Sequence, residues 1–265
     1  MRFKVVSLLA AAISFGAAQA AMAADMPVKA PVIQAVAPYN WSGCYVGGFA
    51  GGAWQSTSGS LTDNGGGAFT FYNPPAGHSW DVGKGSSGMG GGTLGCNWQA
   101  PGSNFVWGVE GELGYLKISK SAADPVSPAL DTNGSVKTGD WYGVLAARGG
   151  LAFGPEGRAL WYLKGGVAFL RSTASVVDTC NTGACGGGLV NATGSSTYAT
   201  WALGTGLEYA FTNSWSVKGE YLYLASGPSY TASGAGGGTA TGTTFNWGAK
   251  SPAVQTLKVG VNFHF

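Results

Sequence analysis

The clearest pattern of hydrophobic and polar positions is the last one in the chain. Leu257, Val259, Val261, Phe263 and Phe265 are apolar at every second position, while Thr256, Lys258, Gly260, Asn262 and His264 fill the alternate ones. Successive side chains of a strand point to opposite faces, so this run predicts a strand with one greasy and one polar face. The same alternation recurs upstream. Phe105, Trp107, Val109, Leu113 and Tyr115 share a face, as do Trp141, Leu145, Leu151 and Phe153. So do Trp161, Leu163, Val167 and Phe169; then Trp201, Leu203, Leu207, Tyr209 and Phe211; then Trp215, Val217, Tyr221 and Tyr223. Two glycine-rich runs, near 44–55 and 86–98, are strands whose faces are harder to assign. The predicted strands are therefore 44–55, 86–98, 104–116, 140–153, 159–172, 197–211, 214–225 and the closing run.

The links between strands carry independent information. Ala100-Pro101-Gly102-Ser103, Gly154-Pro155-Glu156-Gly157 and Thr212-Asn213 are turns by composition. The other links, near 56–85, 117–139, 173–196 and 226–253, are long. Short and long links alternate without exception. That rhythm predicts an all-β fold, an eight-stranded antiparallel up-and-down transmembrane β-barrel with tight turns at one end and long loops at the other. The strand lengths suit tilted spans, which need about 9–11 residues. Placing the short turns together gathers Trp98, Phe105, Phe153, Trp161, Phe211, Trp215, Phe263 and Phe265 at one end and Tyr115, Trp141, Phe169, Trp201 and Tyr223 at the other. These are two aromatic belts, as expected where rings meet lipid headgroups.

Composition supports a surface that does not face water. Only 10% of the 265 residues are charged, against about 25% in ordinary soluble domains. The net charge of +2, with no concentrated basic patch, implies no nucleic-acid partner. At the amino terminus Arg2 and Lys4 precede an apolar run from Val5 to Ala18, and Ala21-Met22-Ala23 is a small-x-small cleavage site. Residues 1–23 are thus expected to be a secretory signal peptide. Residues 24–40, with Pro27, Pro31 and Pro38, read as an extended periplasmic lead-in, and 41–265 as the barrel. Export plus alternating strands points to the cell outer membrane, with outer-membrane lipid as the first partner. The competing destination is a soluble exported barrel that binds a ligand.

The polar face of the strands carries Glu110, Glu112, Arg148, Lys164, Glu208, Lys218, Glu220 and Lys258. These are four acids and four bases. Turn positions put Glu110 beside Arg148, and Lys218 and Lys258 near Glu208 and Glu220. An eight-stranded barrel is just wide enough for its interior side chains to fill it, and buried charges need partners. The set therefore predicts a salt-bridge plug in the lumen; a narrow polar pore lined by the same charges is the alternative. Catalysis finds little support. Glu110 and Glu112 are better read as structural partners of the bases, and His78 and His264 are placed too far apart to build a nucleophilic site. Two histidines are also too few for a metal site with these cysteines. The glycine runs lack the strand–loop–helix setting of a phosphate loop. No enzyme activity and no cofactor is expected. Export permits disulfides: Cys180 and Cys185 could close a small loop, and Cys44 and Cys96 fall on adjacent strands.

Several motifs resemble a known family. A final amphipathic strand ending on Phe263 and Phe265 resembles the assembly signal of bacterial outer-membrane barrels, which implies the barrel-assembly machinery as a partner. Trp41-Ser42-Gly43-Cys44-Tyr45-Val46-Gly47-Gly48 resembles the first-strand motif of the small outer-membrane β-barrel proteins of alphaproteobacteria, the porin-family surface antigens of rhizobia and brucellae. Gly91–Gln99, Trp107–Glu112 and Lys258–Phe265 are similar to that family's second, third and closing strands. In architecture such proteins are OmpA- and OmpX-like. The resemblance implies outer-membrane residence, a structural role in the cell envelope and surface exposure. What the outer loops bind outside the cell is open.

Overall fold

The computed structural model describes residues 38–66, 77–126, 131–179, 189–238 and 241–265. The expected leader, most of the lead-in and the Cys180/Cys185 pair lie outside the described residues. The strands are β1 (Gly43–Gln55), β2 (Gly59–Gly66), β3 (Ser79–Gly83), β4 (Ser86–Gln99), β5 (Phe105–Ala123) and β6 (Thr132–Phe153). After them come β7 (Ala159–Asp178), β8 (Val190–Ala210), β9 (Trp215–Leu224), β10 (Ser229–Ala235), β11 (Thr244–Lys250) and β12 (Val254–His264). Eight of these close a ring in the order β1-β4-β5-β6-β7-β8-β9-β12 and back to β1. Every pairing around the ring is antiparallel. They correspond to the eight runs read from the sequence.

The long links depart from expectation. They are not plain loops. β5, β6, β7 and β8 run on well beyond the predicted ends, to 19, 22, 20 and 21 residues. β10, β11, β2 and β3 then extend the sheet from β8 in that order. The reason lies in the interior positions. On β7 the outward-facing side chains are Trp161, Leu163, Val167 and Phe169, whereas beyond them the apolar side chains Leu170, Ala174 and Val176 are buried. The greasy phase has moved by one residue, from the outside of the wall to its inside. A reading that equates the apolar face with the lipid face stops where that exchange occurs.

The interior is layered, and β7 samples each layer. Leu160 and Tyr162 join Tyr39, Trp41, Val106, Ala152 and Ala210 in an apolar cap beside the short turns. Lys164 comes next. Ala168 and Leu170 then belong to a second apolar layer with Phe49, Met89, Leu116 and Leu222. Ala174 and Val176 end in a third, with Leu61, Trp80, Val136, Phe245 and Trp247, enclosed by the extended strands. Outward-facing Trp107, Leu113, Leu145, Leu203, Leu207 and Val259 are exposed. In water such a surface would carry a large penalty; against lipid it carries none.

Glycines admit the interior tyrosines. Tyr45 on β1 lies opposite Gly95 on β4, Tyr142 on β6 opposite Gly114 on β5, and Tyr162 on β7 opposite Gly206 on β8. A Cβ built at Gly95, Gly114 or Gly206 would meet the tyrosine ring or its hydroxyl at 2.4, 2.7 and 2.5 Å respectively. Each ring lies flat across the neighbouring strand because that strand offers no side chain there.

Candidate functional site

All eight inward charges read from the sequence lie in one layer and all are buried. The alternation that turns Trp161 and Leu163 to lipid turns Lys164 inward, and the same holds for each of the others. Lys164 is the centre. Its Nζ donates to Glu110 Oε1 at 2.5 Å, to Glu220 Oε1 at 3.1 Å and to Glu112 Oε1. Lys258 Nζ bridges Glu112 and Glu220, the latter at 2.9 Å. Lys218 Nζ reaches Glu110 Oε2 at 3.0 Å. Arg148 spans Glu208 at 2.8 Å and Glu110 at 3.4 Å. The expected neighbours Glu110 and Arg148 do meet, and Lys258 does meet Glu220. Lys218 lies opposite Glu208 in register, as expected, and its ammonium pairs with Glu110. Arg148 has already taken Glu208.

Several partners were not legible from charge alone. Tyr45 donates its hydroxyl to Glu110 and accepts from Arg148 at 3.0 Å. Tyr162 donates to Glu220 at 2.8 Å. The Arg148 guanidinium packs over the Tyr162 ring at 4.4 Å, and Lys258 over Phe49 at 4.8 Å. Asn262 and Ser216 donate to Glu208 Oε1 at 2.8 and 2.6 Å. Desolvating an ion costs several kcal/mol, about what a single well-made pair returns. Here each carboxylate has at least two donors, so pairing can offset burial. The signal for the tyrosines was present as inward positions opposite glycines.

Two further chemistries are tested by the geometry. Glu110, Glu112 and Glu220 bring carboxylate oxygens within 4.8 Å of one another, a grouping that could hold a cation. The Lys164 ammonium already contacts all three. His264, set apart from His78, does find a serine and a carboxylate: Nε2 lies 2.9 Å from Ser216 Oγ and 3.4 Å from Glu208 Oε1. A nucleophile–base–orienter relay needs the orienting carboxylate on the other ring nitrogen. One nitrogen serves both contacts here, and Ser216, fully buried, gives its own proton to Glu208. His78, just before β3, instead lies 3.2 Å from Asp124, just after β5.

Below the charges the chain closes its own mouth. Trp41 is buried; its indole donates to the Gly157 carbonyl at 2.9 Å, and its backbone N–H to Gln99 at 2.8 Å. Tyr39 N–H donates to Glu156 O at 2.7 Å, and the two rings meet edge to face at 4.9 Å. Cys44 and Cys96, directly opposite on β1 and β4, are joined as a disulfide near this end. Phe265 is exposed on the outer wall, and its N–H donates to the Cys44 carbonyl.

Comparison with known proteins agrees with this geometry. Residues 7–265 match the family described as outer membrane protein beta-barrel domain. The 31 kDa outer-membrane immunogenic proteins of Brucella melitensis biotype 1 and Brucella suis biovar 1 are each 30% identical over 225 residues, covering 82% of this chain and 85% of theirs. Among solved structures, the outer membrane protein OprG from Pseudomonas aeruginosa aligns over 87% of this chain and 100% of its own, with a TM-score of 0.50 and 17% identity. That likeness concerns the fold alone. The charge-poor sequence, the closed ring with a lipid-facing wall and these relatives lead to one conclusion: the chain belongs to the outer membrane protein β-barrel family, among the small surface-antigen barrels, and resides in the outer membrane.

Proposed function

We propose that this barrel is a closed, non-catalytic wall element of the outer membrane whose extended outer strands form an interaction surface. The observation that carries this reading is Lys164, whose ammonium ties carboxylates from β5 and β9 across the lumen. With Lys258, Lys218 and Arg148 it ties the interior of the barrel into one neutral network at mid-height. The Trp41 cap supports the same reading from the other side. The amphipathic β12, with Phe263 and Phe265 on its outer face, suits delivery by the barrel-assembly machinery. Planar-bilayer recording tests the closed lumen. Wild-type protein is expected to give no sustained current. A stable, salt-dependent current whose ion preference changes in Arg148→Gln would replace this reading with a narrow pore lined by the same charges.

A further inference from the structure

On the eight barrel strands, the charged side chains that are not buried are Lys117, Lys120, Lys137, Asp140 and Arg171. All five lie on β5, β6 and β7, three consecutive strands of the ring. None lies on β1, β4, β8, β9 or β12. They also share a level. Lys117 follows the belt residue Tyr115 by two positions, and Arg171 follows Phe169 by two. Lys117 pairs in register with Gly139, next to Asp140, and Lys137 pairs with Ser119 on one side and Thr173 on the other. Gly139 and Asp140 both have positive φ, 106° and 104°, where β6 shifts register. That kink brings the Asp140 carboxylate onto Lys137, 2.6 Å away. The Lys137 hydrogen bond, and beyond it the charges of Lys137, Lys117 and Arg171, hold the Asp140 carboxyl below its usual range.

Three outward cations, Lys117, Lys137 and Arg171, therefore stand with one acid, and the acid is spent on Lys137; Lys120 lies on the opposite face of β5, beside Ile118. Lys117, Lys120 and Arg171 form no ion pair among the described residues. Arg171 donates to Ser195 at 3.1 Å and borders a shallow groove of about 410 Å³ completed by Thr173, Thr193 and Gly194. Directly below stand Trp141, Phe169 and Trp201, exposed to lipid. A molecule seated on this patch would have its anionic and hydroxylated part against Arg171, Lys117 and the threonines, and its apolar part along the aromatic wall. We propose that the β5–β7 rim is a binding site for the anionic sugar headgroup of an outer-leaflet lipid. The observations favour a lipid over a soluble polyanion because the cations sit immediately above the apolar band, and no other barrel strand carries an exposed cation there.

The test uses the full-length protein folded in detergent and titrated with lipopolysaccharide, binding being read by native mass spectrometry and by gel mobility of the folded band. Both substituted residues of K117Q/R171Q are exposed, and heat-modifiability checks that the variant folds. Binding by K117Q/R171Q is expected to fall at least about tenfold, since each cation near a lipid surface contributes on the order of 1 kcal/mol. K84Q/K250Q, which removes the same charge elsewhere on the outer part, is expected to bind as wild type does. Equal binding by wild type and K117Q/R171Q overturns the proposal. Equal losses in the two double variants overturn it as well, since bulk charge would then suffice. Displacement of lipopolysaccharide by heparin at matched anion concentration would make the patch a receptor for soluble polyanions and overturn the lipid assignment.

Discussion

The two halves of this molecule use the same strands with opposite polarity. In the lipid-facing half, β5 to β8 turn Trp, Leu and Phe outward and hold paired charges inside. In the outer half the same strands turn Ser119, Ser121, Thr173, Thr193 and Ser195 outward and bury Val136, Ala174, Val176 and Ala192 against Trp80 and Trp247. Strand geometry does not change across the boundary; the medium outside does. Apolar burial stabilises only against water. The outer half folds like a soluble β-sheet domain, around an apolar core of its own. The inner half gains nothing from hiding its greasy face, and a layer of mutually paired charges inside it becomes admissible. Each half therefore fails differently when its interior is damaged.

The largest expected effect tests the inner half. Lys164→Met leaves Glu110, Glu112 and Glu220 without their shared cation. A cost of about 3–5 kcal/mol is expected from stranding buried charge, read as a lower urea midpoint of the heat-modifiable band. Lys164→Met with Glu112→Gln should lie between the single variant and wild type. An unchanged midpoint in the single variant would mean that water, rather than Lys164, satisfies the carboxylates. In the outer half Trp247→Ala removes a fully buried ring, costing roughly 3–5 kcal/mol. Here the loss should stay local: hydrogen exchange rises in β2, β10 and β11 while the heat-modifiable inner barrel persists. If both halves melt together, the comparison breaks.

Next in size is the covalent tie. Cys44→Ser with Cys96→Ser frees a loop with sequence separation 52, an effect of about 2–4 kcal/mol acting through the unfolded chain. It should lower the urea midpoint and leave outer-strand exchange unchanged. The smallest effect belongs to Asp63, buried in β2 of the outer half. Burial raises its pKa above 3.8, opposed by the Gly65 N–H and reinforced by Asp124 and Asp178. An acid whose folded pKa is raised binds more protons folded than unfolded, so it stabilises below its unfolded pKa and that contribution is lost as pH rises through the folded value. Asp63→Asn should therefore slow exchange in the outer strands slightly at neutral pH. The difference from wild type should vanish toward the ordinary carboxylate pKa, and a difference constant with pH would remove Asp63 as its source.

Six of the eight barrel strands were legible because lipid demands a greasy outward face, as Leu257 to Phe265 shows, and Trp161 to Phe169 with only Gly165 between; the glycine-rich β1 and β4 rested on the rhythm of the links. The lumen charges were legible for the converse reason, as each occupies an alternate position on such a strand. Legibility ended at residues such as Leu116 and Leu170, where the apolar phase crosses the wall. The continuing alternation of Ile118, Val136, Ala174 and Val176 was there to be read, but only with the medium taken as water. Choice of partner was not legible either. Which carboxylate Lys218 takes depends on where the Arg148 fork has settled, and register alone does not say.

The tyrosines laid across Gly95, Gly114 and Gly206 bear on how the ring closes. Hydrogen-bonded ladders are nearly indifferent to sliding, since every residue offers the same amide. Shifting β1 against β4 by two residues would keep its faces correct but bring Tyr45 against Thr93 or Asn97 in place of Gly95. The same slip would bring Tyr162 against Gly204 or Glu208 in place of Gly206. Most such slips lodge a ring against a side chain, and for Tyr45 and Tyr162 they also pull the hydroxyl from its carboxylate. The Tyr–Gly pairs thus work as keyed teeth, rejecting misaligned closures that the backbone alone would accept.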